Sequence, residues 1–244
     1  APTEWQPVPT YFERLAAVGV SSAVISPARF AGSGLTGAAL RGARHVPAES
    51  LSDRVSAALR ELRAGTPVVY LYWSEIDHSG HSHGVASDAW IGQVEQFDAG
   101  LSALLRGLPG GVRTVLTADH GMINVEPDRI IDVASTPALR EGVRIVAGET
   151  RAAHVHAEEG RADEVEERWR ETLGESAWVL SRAQMPALIG EGSGASVIGD
   201  LLVLARGCGG VVDSRTQSAA AIAMPGIHGS VTPTEMRIPV VTLS

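Results

Sequence analysis

The chain has 244 residues, of which 44% are hydrophobic and 20% charged, as in ordinary globular proteins and unlike disordered or fibrous ones. Its net charge of −8 argues against a general nucleic-acid binder, because such a protein needs a basic surface to meet the phosphates. The single cysteine, Cys208, excludes a disulfide framework within the chain. Neither a long apolar run nor a leader-like start is present, so we expect no membrane partner and a cytoplasmic location.

Short apolar segments alternate with amphipathic patterns through the first half of the chain. Ser22–Ser26 is rich in β-branched residues, and residues 49–65 carry apolar side chains at helical spacing. Val68–Trp73 is continuously apolar, which predicts a strand covered on both faces. A longer helical pattern over residues 90–108 precedes the next predicted buried strand, Val112–Ala118. This alternation predicts an α/β fold with a largely parallel sheet.

The pattern changes near residue 143, where short strands surround one charged helix. That helix has an apolar stripe at Val165, Trp169 and Leu173, which we expect to face inward. We interpret the segment as a small α+β insert, after which the chain returns to the main sheet. The predicted division is residues 1–142 for part of the core, 143–206 for the insert and 207–244 for the return to the core.

The sequence DHSGHSHG, from Asp77 to Gly84, concentrates metal-binding side chains after the Val68–Trp73 strand. Ligand sites of open α/β sheets lie at the carboxyl ends of strands, so Asp77 is well placed for one. His81 follows four residues later, and Gly80 and Gly84 would allow a tight turn that points both side chains inward. A carboxylate and an imidazole together suit a divalent ion such as zinc. The motif holds three histidines, and spacing alone does not choose among them.

Two further turns carry the same residue types. Asp119 and His120 follow the predicted strand Val112–Ala118 and precede a glycine. His228 also precedes a glycine. Any one of these turns would fit an ordinary loop. Because two strands that deliver Asp and His to one sheet edge are what a two-metal site requires, the three turns together predict a metal centre.

These three motifs resemble those of the alkaline phosphatase superfamily, and most closely its type I phosphodiesterase/nucleotide pyrophosphatase branch. The matching segments are D-x-x-G-H-x-x-G at Asp77–Gly84, ADHGM at Ala118–Met122 and HGSVTPTEMRIPVV at His228–Val241. Their order and spacing agree over most of the chain. The resemblance implies a parallel or mixed sheet with helices on both faces, which agrees with the α/β prediction.

The resemblance also implies a site with two zinc ions, with manganese as the alternative metal. By motif position, the ligands of the first ion would be Asp77, His81 and His228, and those of the second would include Asp119 and His120. His78 and His83 fall on variable positions of the motif, and we expect them to lie outside the ligand set.

The implied activity is metal-dependent hydrolysis of a small phosphate ester or a nucleotide through a covalent phospho-enzyme. The family pattern also has an earlier Asp and a Thr or Ser nucleophile, and neither is recognisable here. Thr10 and Thr36 do not follow a metal-binding Asp at a strand-to-helix turn. We therefore expect a C-terminal portion of a larger enzyme, with no catalytic nucleophile of its own and an upstream fragment as partner.

Other functions remain open at this point. The chain would also fit an inactive metal-binding fragment or binding module, or a phosphomutase or phosphonate hydrolase of the same superfamily. A sulfatase is disfavoured, because Cys208 is far from any motif that could supply the modified nucleophile. Arg151 is a candidate contact for a phosphate group.

Overall fold

The computed structural model describes residues 1–192, 194 and 197–243. It divides into two compact units: unit 1 comprises Ala1–Ile76, Ile91–Leu116 and Val240–Ser244, and unit 2 comprises Asp77–Trp90 and Thr117–Pro239. Residues 193, 195 and 196 of the predicted insert, and residue 244 of the predicted return segment, lie outside the described residues. The predicted domain boundaries stay a prediction.

The elements follow one another in an alternating order. The first part contains α1 Pro2–Trp5, α2 Tyr11–Ala17, β1 Ser22–Ser26, α3 Gly34–Ala39, β2 Arg44–Pro47, α4 Leu51–Arg63, β3 Val68–Leu71, α5 Glu75–His83, α6 Asp88–Gly107 and β4 Thr114–Thr117. The second part contains β5 Ile123–Asn124, β6 Ile130–Asp132, α7 Pro137–Arg140, β7 Val143–Glu149, β8 Ala152–Ala157, α8 Ala162–Leu173, β9 Ala177–Ser181, α9 Pro186–Ile189, β10 Leu201–Ala205, β11 Gly210–Val212, α10 Ala219–Ile222, β12 Gly226–Ile227, α11 Pro233–Met236 and β13 Val240–Leu243. Short 3-10 turns lie at Ala28–Phe30, Pro127–Arg129, Val133–Ser135 and Gly174–Ser176. Among the described residues, no helix has the length and apolarity needed to cross a membrane.

Unit 1 is built on a parallel sheet in the order β2-β1-β3. Every residue of the central strand β1 is buried. Helix α4 begins at Ser50, whose side chain accepts a hydrogen bond from the Asp53 N–H, and it buries Ala57 and Ala58 against Ile25. Parallel strands joined by helices of this kind confirm the predicted α/β class.

Two strands of unit 1 are less covered than their apolar sequences predict. Tyr70 in β3 is 40% exposed, and Val115 in β4 is 58% exposed. Strand β4 pairs with β13 in a two-stranded sheet. The expectation of full burial on both faces was wrong for these strands, because an apolar run shows what a strand can bury and not which elements are present to cover it.

Unit 2 contains a four-stranded antiparallel sheet in the order β7-β8-β10-β9. Helix α8 packs Val165, Trp169 and Leu173 into its core, and all three are at most 3% exposed. The predicted inward stripe of this helix is confirmed. Two-stranded pairs, β6 with β11 and β5 with β12, complete the pairings of this unit among the described residues.

We predict that Trp169→Ala lowers the free energy of unfolding by about 3–5 kcal/mol, because it leaves a large cavity in a closed core. Trp169 has no exposed surface. Urea unfolding of the chain measures the change. Glu167→Ala, on the exposed side of the same helix, is the matched control and should change the value by no more than about 0.5 kcal/mol. Equal losses in the two variants would contradict the assigned core.

Candidate metal centre

Helix α5 places Asp77 and His81 on one face. The two residues are four positions apart, which is about one helical turn. The tight turn predicted at Gly80 was wrong, since this glycine lies inside the helix. Gly84 ends the helix instead: its φ is 86°, and its N–H donates to the Gly80 carbonyl at 2.8 Å.

Glycines allow three segments of unit 2 to approach one another beside this helix. A Cβ atom added to Gly80 would lie 2.4 Å from the sulfur of Met122, which follows the Asp119 turn. A Cβ added to Gly226 would lie 2.2 Å from the Gly80 carbonyl oxygen. A side chain at Gly226 would therefore push its strand away from helix α5, and one at Gly80 would force the Met122 side chain to move.

The structure gathers the predicted histidines around one carboxylate oxygen. Oδ1 of Asp77 lies 3.4 Å from Nε2 of His81, 3.9 Å from Nε2 of His228 and 4.0 Å from Nε2 of His120. The imidazole rings of His120 and His228 are stacked, with centroids 3.4 Å apart and planes inclined by 14°. Ligand atoms of Asp77, His81 and His228 all lie within 4.8 Å of one another.

Backbone carbonyl groups orient two of these rings. Nδ1 of His81 lies 2.8 Å from the Gly226 oxygen, and Nδ1 of His120 lies 2.8 Å from the Gly121 oxygen. Because a carbonyl oxygen only accepts hydrogen bonds, Nδ1 carries the proton in both rings. Nε2 of each ring is thereby turned toward Asp77 and would be the ligand atom for a metal ion, which is the arrangement that metal-binding histidines adopt.

The donor set fits a divalent cation. Oδ1 of Asp77 is buried, and no hydrogen bond to it is formed by the described residues. Burial and the neighbouring His120 lower the pKa of His228 below its ordinary value, although Asp77 acts in the opposite direction. A neutral imidazole beside an unpaired carboxylate oxygen is what a cation would bind. That these residues are ligands stays a prediction.

The second predicted pair is arranged differently. His120 lies beside the Asp77 cluster, but the Asp119 side chain is 82% exposed, and its Oδ1 lies 3.6 Å from Nε2 of His120. His78 and His83 are exposed on α5 and outside the cluster. A role for Asp119 and His120 at a second ion stays a prediction.

Arg151 is not placed to contact a phosphate, so that expectation was wrong. Its side chain is fully buried, and its guanidinium group forms a two-pronged ion pair with Glu235. No local sequence pattern predicts this role for Glu235. Thr232 and Glu235 show the T-x-x-E spacing of a helix start. That spacing predicts a local cap and not a partner 84 residues away.

Comparison with known proteins identifies the family. The sequence profile described as type I phosphodiesterase/nucleotide pyrophosphatase matches residues 2–229. The chain belongs to the type I phosphodiesterase/nucleotide pyrophosphatase family, and the predicted superfamily and branch are confirmed.

The bovine (Bos taurus) bis(5'-adenosyl)-triphosphatase is a curated relative. It is 30% identical over 96 residues, which are 36% of this chain and 21% of that protein. The chain therefore spans about one fifth of the length of this relative.

Solved structures share the fold. Human ectonucleotide pyrophosphatase/phosphodiesterase 5 matches with a TM-score of 0.76 and 18% identity, over 99% of this chain and 64% of that chain. The murine protein, in an inactive form with AMP, matches with a TM-score of 0.72 and 18% identity, over 93% of this chain and 61% of that chain. Phosphonoacetate hydrolase from Sinorhizobium meliloti 1021, in complex with phosphonoformate, matches with a TM-score of 0.71 and 20% identity. The match covers 96% of this chain and 68% of that chain.

We predict that Gly121→Ala destabilises the chain by about 1–3 kcal/mol through overpacking. A Cβ atom at this position would lie 2.0 Å from the carbonyl oxygen of Thr234. Gly92→Ala is the matched control, because a Cβ there meets nothing within 4 Å and the residue lies in helix α6. That control should be neutral or stabilising by up to about 1 kcal/mol. Urea unfolding measures both, and a neutral Gly121→Ala would contradict the close approach of the two segments.

Proposed function

We propose that this chain carries the metal centre of a metal-dependent phosphoric ester hydrolase of the phosphodiesterase/nucleotide pyrophosphatase type. The observation that carries the proposal is the buried Oδ1 of Asp77, which accepts no hydrogen bond from the described residues and lies among the Nε2 atoms of three histidines. Membership of the family supports the same activity.

The side chains of the site favour a bound cation, and that cation would attract an anionic substrate. Asp77 contributes one negative charge, and the lowered pKa of His228 keeps that ring neutral near neutral pH. The whole chain has a net charge of −8, so it would repel a phosphate ester unless a cation were bound. A bound divalent ion supplies local positive charge and Lewis acidity at a phosphoryl oxygen. The carbonyl groups that hold His81 and His120 fix the rings before any ion arrives.

The finer proposal is a two-zinc site and a covalent phospho-enzyme. Asp77, His81 and His228 would hold the first ion, and Asp119 and His120 would supply part of the second ligand set. We place the remaining Asp and the Thr or Ser nucleophile upstream of this chain. The chain covers 61–64% of the length of two related structures, so part of each has no counterpart in it. The nucleophile would form the phospho-enzyme in an in-line attack on phosphorus.

The proposed substrates are small phosphate diesters and nucleotides. The related murine structure holds AMP, which supports a nucleotide as the substrate class. Phosphonates are the alternative, since the bacterial neighbour is a phosphonoacetate hydrolase.

We predict that the chain, freed of metal, binds one zinc ion tightly and a second one weakly. His81→Ala should weaken tight binding by at least about 100-fold, since it removes a direct ligand and loss of an outer partner alone costs up to about that much. His83→Ala is the matched control, because His83 is exposed on the same helix. Competition with a chromophoric chelator measures the dissociation constants. Tight binding that survives His81→Ala would contradict the ligand set, as would its loss in His83→Ala.

A second prediction concerns hydrolysis. The chain of 25.5 kDa should bind metal without turning over bis(p-nitrophenyl) phosphate, whereas a longer form with the upstream segment should hydrolyse it. In that longer form, Asp119→Asn should lower kcat, because it removes a ligand of the second ion. Intact mass under denaturing conditions must accompany each assay, with a phosphonate as the comparison substrate. Turnover by a sample containing only the 25.5 kDa chain would show that the nucleophile lies within it.

A further inference from the structure

A buried ion pair lies next to the turn that carries His228 in unit 2. The Nε and Nη2 atoms of Arg151 donate to the two carboxylate oxygens of Glu235 at 3.0 and 2.7 Å. Nη1 of Arg151 donates to the carbonyl oxygen of Gly209 at 2.5 Å. The side chains of Arg151 and Glu235 are 0% and 1% exposed. Their two-pronged geometry fixes both groups in one orientation.

The pair is connected to the turn that carries His228. The Ser230 N–H, two residues after this histidine, donates to Oε1 of Glu235 at 3.0 Å. Gly229 has a φ of 131°, and a Cβ built on it would lie 3.6 Å from the Cβ of Arg151. The His228 turn is therefore hydrogen-bonded to Glu235, and its glycine lies close to Arg151.

The same residue, Glu235, is connected to the turn that carries His120. The Gly121 N–H donates to the main-chain oxygen of Glu235 at 2.7 Å. Glu235 therefore binds the backbone one residue after His120 through its carbonyl group and two residues after His228 through its carboxylate. The two imidazole rings carried by these turns are stacked, with centroids 3.4 Å apart.

The energetics of buried charges argue against a role in stability alone. Replacing a buried ion pair by apolar side chains of similar volume is often neutral or stabilising, because both charges lose their hydration on burial. Burial alone would raise the pKa of Glu235, but Arg151, Thr232 and the Ser230 N–H together lower it, so the carboxylate stays ionised. The ionised carboxylate of Glu235 therefore remains a strong hydrogen-bond acceptor for the Ser230 N–H, next to the His228 turn.

We infer that Arg151 and Glu235 are positioning residues that set the spacing of His120 and His228, and thereby the metal affinity of the site. This inference rests on the proposed function, because it needs a metal at the cluster. Neither residue touches the substrate or the ion in this assignment. Their effect passes through the backbone of the two glycine turns.

Two double variants of the chain test this assignment. Arg151→Met with Glu235→Gln and Arg151→Met with Glu235→Met both remove the two buried charges at similar side-chain volume. Gln retains an oxygen that can accept from the Ser230 N–H, whereas Met does not. The two variants therefore differ in the connection to the His228 turn and not in charge.

We expect the Met–Met variant to bind zinc about 10- to 100-fold more weakly than the unchanged chain, as is typical when an orienting partner is lost. The Met–Gln variant should lose less. With Co²⁺ as the probe, the visible absorption spectrum of Met–Met should also change, because the ligand geometry changes. Chelator competition and the Co²⁺ spectrum are the readouts, and neither requires enzymatic activity.

Asp213→Asn is the control for a purely structural effect. Asp213 is 1% exposed and forms a two-pronged pair with Arg215, whose side chain is 47% exposed, and among the described residues no hydrogen bond of the Asp213 side chain reaches a histidine turn. This control should lower the free energy of unfolding and leave the zinc affinity within about twofold. If Met–Met does not fold, Arg151→Lys replaces it, and its zinc binding should be at least about threefold weaker at full folding.

Four outcomes are decisive. Equal zinc affinity in Met–Met, Met–Gln and the unchanged chain would overturn the inference, as would unchanged binding in Arg151→Lys when Met–Met does not fold. A loss in Asp213→Asn as large as that in Met–Met would also overturn it, because the effect would then be general destabilisation. Absence of zinc binding in the unchanged chain would instead overturn the proposed function.

Discussion

The close approach of one carboxylate and three imidazoles is the constraint on which unit 2 depends. Oδ1 of Asp77 is buried without a hydrogen bond from the described residues, and isolated groups of this kind cost free energy. Close backbone approaches bring the surrounding segments together: a Cβ on Gly226 would lie 2.2 Å from the Gly80 oxygen of α5, and a Cβ on Gly121 would lie 2.0 Å from the Thr234 oxygen. The glycines of the motifs thus have a packing role as definite as that of the ligands beside them.

Parts of this arrangement could be predicted from the sequence because they depend on local spacing. The inward stripe of α8 follows from positions three to four residues apart, and the α/β class follows from alternation of strands and helices. Three sequence motifs contain the candidate metal-binding residues, and their order predicts the family. These residues are Asp77, His81, Asp119, His120 and His228.

Other parts depend on distant contacts that no local pattern records. The letters DHSGHSHG do not show that Gly80 lies within a helix, because glycine is also common in turns. Arg151 and Glu235 are 84 positions apart, so no local pattern predicts that they pair. The positive charge of Arg151, which the sequence suggests for a phosphate, is neutralised by Glu235 inside the protein. The exposure of Val115 depends on which elements cover β4, and the strand sequence does not encode that.

The antiparallel sheet of unit 2 has a consequence for the metal centre. Strand β8 pairs with β10 in a fixed register, with Ala152 opposite Leu204, and the Ala205 N–H donates to the Arg151 oxygen at 2.9 Å. Since side chains alternate between the two faces of a strand, a slip of one residue would turn Arg151 to the other side of the sheet. The alignment of these two strands is therefore part of the specification of a site that contains no residue from either.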